Sequence, residues 1–387
     1  MRQTKKGPAM KLLFKPKKLM PVNSLIRQLI SKTRLLLPSK EWPASKSHIR
    51  VLHIIPNFML GGSSRLVVDL IENLGERYQH KVITSYCPRP PAYPGIDVTE
   101  LRTPEPTNLL SLLEKLNPQL IHLHYWGDCD LPWYEIMLSA IKKLKCPVIQ
   151  NINTPIEPYK ADYISRYVYV SKYVQKKFGE EGPKHLTIYP GSDFNLFTKK
   201  QNQENSTEYL GMVYRLECDK LNENSIDVFI KVTQKRPQTK VLIIGGGTYL
   251  APYKKKVDAA NVSANFKFTD YVDYTSLPSF YEKMKIFVAP VWKESFGQVS
   301  PFAMNMELPI VGYNVGGLAE IVNNPDLLAE PGNSDQLAEI IITLLNDPVR
   351  REKIAKENKA RAQALFSLES MNTAYKTLYA EVLENQK

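Results

Sequence analysis

Glu294-Ser295-Phe296-Gly297-Gln298-Val299 (ESFGQV), closed by a second small-residue turn at Gly316-Gly317-Leu318-Ala319-Glu320, decides how this chain is read. The first stretch follows an apolar run, Ile286 to Val291, with the composition of a buried strand. It leads into a helix-like segment near 298–306 and a second apolar strand, Pro309 to Tyr313. A carboxylate and a small-residue turn at the carboxyl end of a parallel strand mark where open α/β sheets hold their ligands. The N–H groups that open the next helix favour an anion. The pattern implies a polar ligand carrying phosphates.

Working outward, strands are expected at Leu210 to Val213, Val241 to Ile244, Phe266 to Phe268, Ile286 to Ala289 and Ile310 to Val311. Helices fill the intervals near 223–235, 249–260, 276–284 and 298–306, and a helical tail runs over 334–346, 348–364 and 368–384. Upstream, strands are expected at Val51 to Pro56, Val82 to Tyr86, Leu120 to Trp126, Val148 to Asn153, Tyr167 to Val170 and Thr187 to Tyr189. Helices begin there near Ser64 and cover 107–116 and 132–144. Such alternation predicts βαβ units around parallel sheets. Residues 199–208 (KKQNQENSTE) are polar without apolar period and read as a linker and hinge. The fold class is therefore α/β, with two Rossmann-like doubly wound domains facing a cleft. The divisions are a basic extension with an amphipathic helix (1–46), a first domain (47–200), a second domain (201–366) and a C-terminal helix (367–387).

The length of 387 residues fits two domains, and 43% hydrophobic residues suffice for two cores. No apolar run is long enough to cross a bilayer. Cys87, Cys129, Cys146 and Cys218 lack disulfide or metal spacing, which points to reduced thiols in the cytoplasm. The net charge is +12, but residues 1–40 hold eleven Lys or Arg and no acid, leaving about +1 for the rest. A nucleic acid is therefore not an expected partner. In the basic segment Leu25, Ile26, Leu29, Ile30, Leu36 and Leu37 share one helical face, opposite Arg27, Lys32 and Arg34. The readings are a helix peripheral on an anionic membrane surface, a helix docked on the first domain, or a targeting segment.

Several residues have the chemistry for a site. Gly61-Gly62-Ser63-Ser64-Arg65 sits between the first strand and its helix, either to let a ligand approach or to make a tight turn. Arg215 and Lys220 flank the loop after the second domain's first strand, where two cations would neutralise a diphosphate. Gly245-Gly246-Gly247 is either a ligand cradle or a strand-to-helix turn. Asp128 and Asp130 read better as a turn with a helix cap than as a metal site, so no metal is expected. His122, His124 and Trp126 share a strand face, and His124 and Trp126 either line an acceptor pocket or are half-buried packing.

These pieces together resemble the retaining glycosyltransferases of family 4, which have the GT-B fold. The resemblance runs from about residue 49 to the C-terminus and rests on Gly61-Gly62, Arg215 with Lys220, Gly245-Gly246-Gly247, ESFGQV at 294–299 and NVGGLAEIV at 314–322. It implies an acceptor-side first domain, a donor-binding second domain and a final helix that crosses back to the first. It implies Gly62 and Gly246 against the donor, Arg215 and Lys220 on its diphosphate, and Glu294 on the transferred sugar with Phe296, Gly297 and Gln298 beside it. No cofactor is implied; the substrates would be a sugar nucleotide and a glycan or lipid-linked acceptor. Two departures stand out. The second glutamate of the family pattern, which grips the donor ribose, is Phe302 here. A histidine near the reacting sugar is replaced by Asn153, which donates a hydrogen bond but carries no proton. Glu157, in the NTPIEPY stretch, is an acceptor-side candidate. These departures keep a second reading open, a degenerate GT-B protein that binds a glycan or partner without catalysis.

Overall fold

The computed structural model describes Trp42 and residues 48–127, 130–198 and 209–384. The basic segment 1–40, the linker 199–208, Asp128 and Cys129 lie outside the described residues.

The first lobe is a seven-stranded sheet. Its strands are β1 (Ile49–Ile54), β2 (Tyr78–Thr84), β3 (Val98–Glu100), β4 (Leu120–Tyr125), β5 (Val148–Ile152), β6 (Ile164–Tyr169) and β7 (His185–Thr187). They lie in the order β3-β2-β1-β4-β5-β6-β7, every pairing parallel. Between them run α1 (Gly62–Asn73), α2 (Pro106–Leu116), α3 (Leu131–Ile141) and α4 (Lys172–Phe178).

The second lobe has six parallel strands, β8 (Tyr209–Val213), β9 (Lys240–Ile244), β10 (Phe266–Phe268), β11 (Met284–Ala289), β12 (Ile310–Tyr313) and β13 (Leu328–Ala329). Their order is β10-β9-β8-β11-β12-β13. Its helices are α5 (Asp227–Lys235), α6 (Leu250–Ala259), α7 (Leu277–Tyr281), α8 (Val299–Asn305), α9 (Leu318–Val322), α10 (Ser334–Asn346) and α11 (Pro348–Leu365). The expected helix near 276–284 is shorter, because a 3-10 turn at Tyr274–Ser276 precedes it and β11 begins at Met284. Sequence periodicity missed β3, β13, α4 and α9, all too short to show a repeat.

Parallel strands with helices on both faces are buried on both sides, so most are continuous apolar runs. Strands β1 and β4 depart from this rule. Register places His53 opposite His122, His80 opposite Val51, and His124 opposite Asn151, so all four histidines and Asn151 share one face. The last helix, α12 (Leu368–Glu384), covers that face. Met371, Tyr375, Leu378, Tyr379 and Val382 recur at helical spacing and pack with Val51, Leu66, Leu70, Leu120 and Ile149. The Tyr379 hydroxyl lies 2.7 Å from His122 Nδ1 and Tyr375 donates to Asn151 Oδ1 at 2.5 Å. The C-terminal helix thus completes the core of the first lobe.

Candidate active site

In both sheets the order of connection reverses beside the first strand, between β1 and β4 and between β8 and β11. Such switch points open a crevice at the carboxyl ends of the strands. The lobes meet at these ends. Glu320, in α9 after β12, accepts hydrogen bonds from the Lys172 N–H (2.9 Å), the Tyr173 N–H and the Tyr189 hydroxyl (3.0 Å). Lys172 and Tyr173 open α4, just past the carboxyl end of β6. The Gln298 amide donates to the Gly191 carbonyl at 2.9 Å, and Asn305 donates to the Phe197 carbonyl at 2.7 Å. The carboxyl ends of the two sheets therefore face each other. Asn153 follows β5, the neighbour of β6; Glu294 follows β11, the neighbour of β12.

At the switch point of the second sheet, Lys220 from the β8 loop reaches Glu294 from the β11 loop. Lys220 Nζ donates to both carboxylate oxygens, at 2.8 and 2.9 Å, and the Ser295 N–H adds a bond at 3.1 Å. The Glu294 side chain is 1% exposed and that of Lys220 35%, so the pair is anchored on the acid and open on the cation. Gly297 has φ +90, and a Cβ there would stand 2.9 Å from the Glu294 carboxyl carbon, so glycine is required beside the acid. Phe296 is buried and stacks on Tyr189 of the connecting segment. Behind the carboxylate, the Tyr214 and Ser300 hydroxyls are buried, and burial, then Glu294, pushes the Tyr214 phenol up.

Arg215 does not join this pair. Its side chain is 69% exposed and binds Asp219 at 2.8 Å on the same loop. Gly62 opens α1 at the first sheet's switch point. A Cβ there would meet no protein atom within 4 Å, and the chain enters through Gly61 in extended conformation, so a tight turn does not account for these glycines.

Four expectations need correction. Gly246 does not form an open cradle: a Cβ there would strike Asp270 at 2.2 Å and Tyr271 at 2.7 Å, so close packing of the β10 loop explains the glycine. Phe302 does not sit on an open donor surface. It is buried, stacked on Phe197 at 4.0 Å between ring centroids, with Tyr274 at its edge. His124 does not line a pocket. It is fully buried, and its Nε2 pairs with His53 Nδ1 at 3.2 Å. Asp130 stands at the N-cap of its helix, but its side chain makes no cap bond and instead accepts from the Trp126 indole at 2.9 Å. That bond holds Trp126 half-buried at the end of β4, while Glu157 is exposed.

His53, His122 and His124 bring ring nitrogens within 4.8 Å of one another, the donor chemistry of a divalent-cation site among the described residues. Burial, reinforced by the neighbouring rings, holds all three well below the usual histidine range, so they are neutral. Four of their six nitrogens pair, His53 with His124 and with His80 (3.0 Å) and His122 with Tyr379, while His122 Nε2 and His124 Nδ1 are buried without a partner. The cluster is a polar seam beneath α12.

Beside Gly61-Gly62, Arg65 pairs with Asp69, which is 2% exposed. Burial raises the Asp69 carboxyl from 3.8 to about 6, against the opposing pull of Arg65. A carboxyl that holds its proton more tightly when folded makes stability fall as pH rises from about 4 to about 6, and leaves it flat above. The shift corresponds to at most about 3 kcal/mol. Denaturant titrations should show Asp69→Asn with a flatter profile over that window; a profile parallel to the wild type would refute the assignment.

Residues 193–361 match the family model described as glycosyl transferases group 1. Over these residues the chain is similar to the group 1 glycosyl transferases. The matched residues include both Lys220 and Glu294. The chain is 27% identical over 225 residues to a GDP-mannose-dependent monoacylated alpha-(1-6)-phosphatidylinositol monomannoside mannosyltransferase of Corynebacterium glutamicum, covering 52% of this chain and 58% of that protein. It is 29% identical over 195 residues to the capsular polysaccharide biosynthesis glycosyltransferase CapM of Staphylococcus aureus, covering 46% and 48%. The chain thus spans about half the length of these curated relatives. Among solved structures, HepE of Anabaena in complex with UDP-glucose superposes with a TM-score of 0.70 at 19% identity, over 86% of this chain and all of that one. A glycosyltransferase from Rickettsia africae superposes with a TM-score of 0.73 at 15% identity, over 87% and 99%. The fold is therefore GT-B, two parallel-sheet α/β lobes. No helix among the described residues is long and apolar enough to cross a membrane.

Sequence reasoning quoted Glu320 in its motif but gave it no role. Its work as a clasp on α4 depends on a partner 148 residues away, and no local signal reports that.

Proposed function

We propose that this protein is a retaining glycosyltransferase of the group 1 kind. It takes a hexose from a nucleotide-diphosphate sugar and moves it to a glycan or lipid-linked acceptor. The observation that carries the reading is the Lys220–Glu294 pair at the switch point of the second sheet, facing the carboxyl ends of the first. Glu294 accepts hydrogen bonds from sugar hydroxyls. Lys220, open to the crevice, and Arg215, turning from Asp219, neutralise the diphosphate as it leaves. The anomeric C–O bond to the diphosphate breaks as the acceptor oxygen bonds the same face. The acceptor proton passes to a diphosphate oxygen, so no protein base is needed. Positioning and charge stabilisation do the catalysis. The names of the relatives support glycan and lipid acceptors, and UDP-glucose on HepE supports a nucleotide donor.

Buried Phe302 favours a second reading, a binding module without turnover, because a phenyl ring cannot accept a ribose hydroxyl. A panel of sugar nucleotides separates the two. Released nucleoside diphosphate with at least one donor is expected; silence across the panel, with no calorimetric donor binding, would overturn the transferase reading.

A further inference from the structure

We propose that Tyr375, on the C-terminal helix, is a positioning residue that aims the Asn153 amide at an oxygen of the donor sugar. The inference rests on the transferase reading for the identity of the ligand, and on geometry for the relay itself. The Tyr375 hydroxyl is buried and donates to Asn151 Oδ1 at 2.5 Å. Asn151, fully buried on β5, donates through Nδ2 to Asn153 Oδ1. Each carboxamide has one acceptor oxygen and one donor nitrogen, so fixing the first fixes the second. With its oxygen engaged, Asn153 presents its Nδ2, which is buried and has no hydrogen-bond partner.

A buried donor left unpaired is rare enough to require an explanation. Its position supplies one. Asn153 stands at the carboxyl end of β5, beside the strand whose end is clasped by Glu320 from the second lobe. The open partner is an acceptor atom brought by a ligand in the crevice, which means a hydroxyl, ring or carbonyl oxygen of a sugar. The helix that delivers Tyr375 follows the second lobe in sequence and packs on the first. One hydroxyl on α12 therefore sets which atom of Asn153 faces the site.

Tyr375→Phe removes that hydroxyl and keeps the ring, and Asn151→Asp breaks the relay without touching the helix, since a carboxylate cannot donate to Asn153. With UDP-glucose and GDP-mannose as probes, each variant should lower kcat about tenfold with the donor KM within about twofold. Combining either with Asn153→Ala should give no loss beyond Asn153→Ala alone. Multiplicative losses would mean that Tyr375 acts only on stability and would overturn the relay. A second readout is independent of turnover. In protein labelled at asparagine, the Asn153 side-chain amide, assigned from its absence in Asn153→Ala, should shift in Tyr375→Phe without ligand. An unmoved resonance refutes the relay even if neither probe is bound. A moved resonance with no donor bound or hydrolysed by the wild type supports the relay and counts against the transferase reading instead.

Discussion

Glu294→Gln will cut sugar transfer on the order of 10²-fold, and Lys220→Ala on the order of 10²- to 10³-fold, the range for a misplaced substrate and a lost charge-stabilising donor. The two variants should differ in stability. Glutamine in place of Glu294 frees an ammonium that already reaches water, since the Lys220 side chain is 35% exposed. Alanine in place of Lys220 strands a carboxylate that is 1% exposed. Removing one partner of a buried pair costs about 3–5 kcal/mol, so Lys220→Ala should approach about 3 kcal/mol and Glu294→Gln should stay near 1. Urea denaturation measures this asymmetry, and donor turnover measures the rates. The double variant should be little slower than the worse single one, because the two side chains act as one unit. Wild-type turnover in Glu294→Gln would remove the acid from the mechanism.

Ending the chain at Leu365 will unfold the first lobe, although the deletion lies wholly beyond the group 1 region. Met371, Tyr375, Leu378, Tyr379 and Val382 are all at most 2% exposed. At about 1.5–3 kcal/mol for each buried side chain, their loss is on the order of 10 kcal/mol, comparable with the whole net stability of a domain. The deletion also strips His122 and Asn151 of their tyrosine partners inside the sheet. Limited proteolysis and circular dichroism should show loss of first-lobe structure in the truncated chain. A cooperative transition at the wild-type temperature would contradict this. Tyr379→Phe, which removes one hydrogen bond, should by contrast cost about 1 kcal/mol and leave the fold in place.

Much of the architecture was legible in the sequence because parallel strands buried on both faces are written as apolar runs. Ile286 to Ala289 and Val241 to Ile244 are such runs, and both are strands in the structure. Lys220 and Glu294 were legible as site candidates for a related reason, since each lies just past the carboxyl end of a strand, but their direct ion pair appears only in the structure. Histidines on alternating strand positions were misread. Alternation shows that side chains share a face but not which face, and here the face lies under α12, so His124 is core. Gly246 and Phe302 were misread because a glycine or an aromatic ring near a ligand loop has the same local sequence whether it meets a ligand or a neighbouring side chain. In this fold the neighbours are Asp270 and Tyr271 for the one, and Phe197 and Tyr274 for the other.

By itself the sequence determined the two sheets and the loops that carry charge, since hydrophobic period and strand ends are local properties. The tertiary structure alone decided which polar groups have partners. Glu320 found α4, Tyr375 found Asn151, and Arg215 turned to Asp219 rather than to Glu294. Hydrogen bonds act over about 3 Å in space while their partners stand up to hundreds of residues apart in the chain, so only the folded arrangement fixes them.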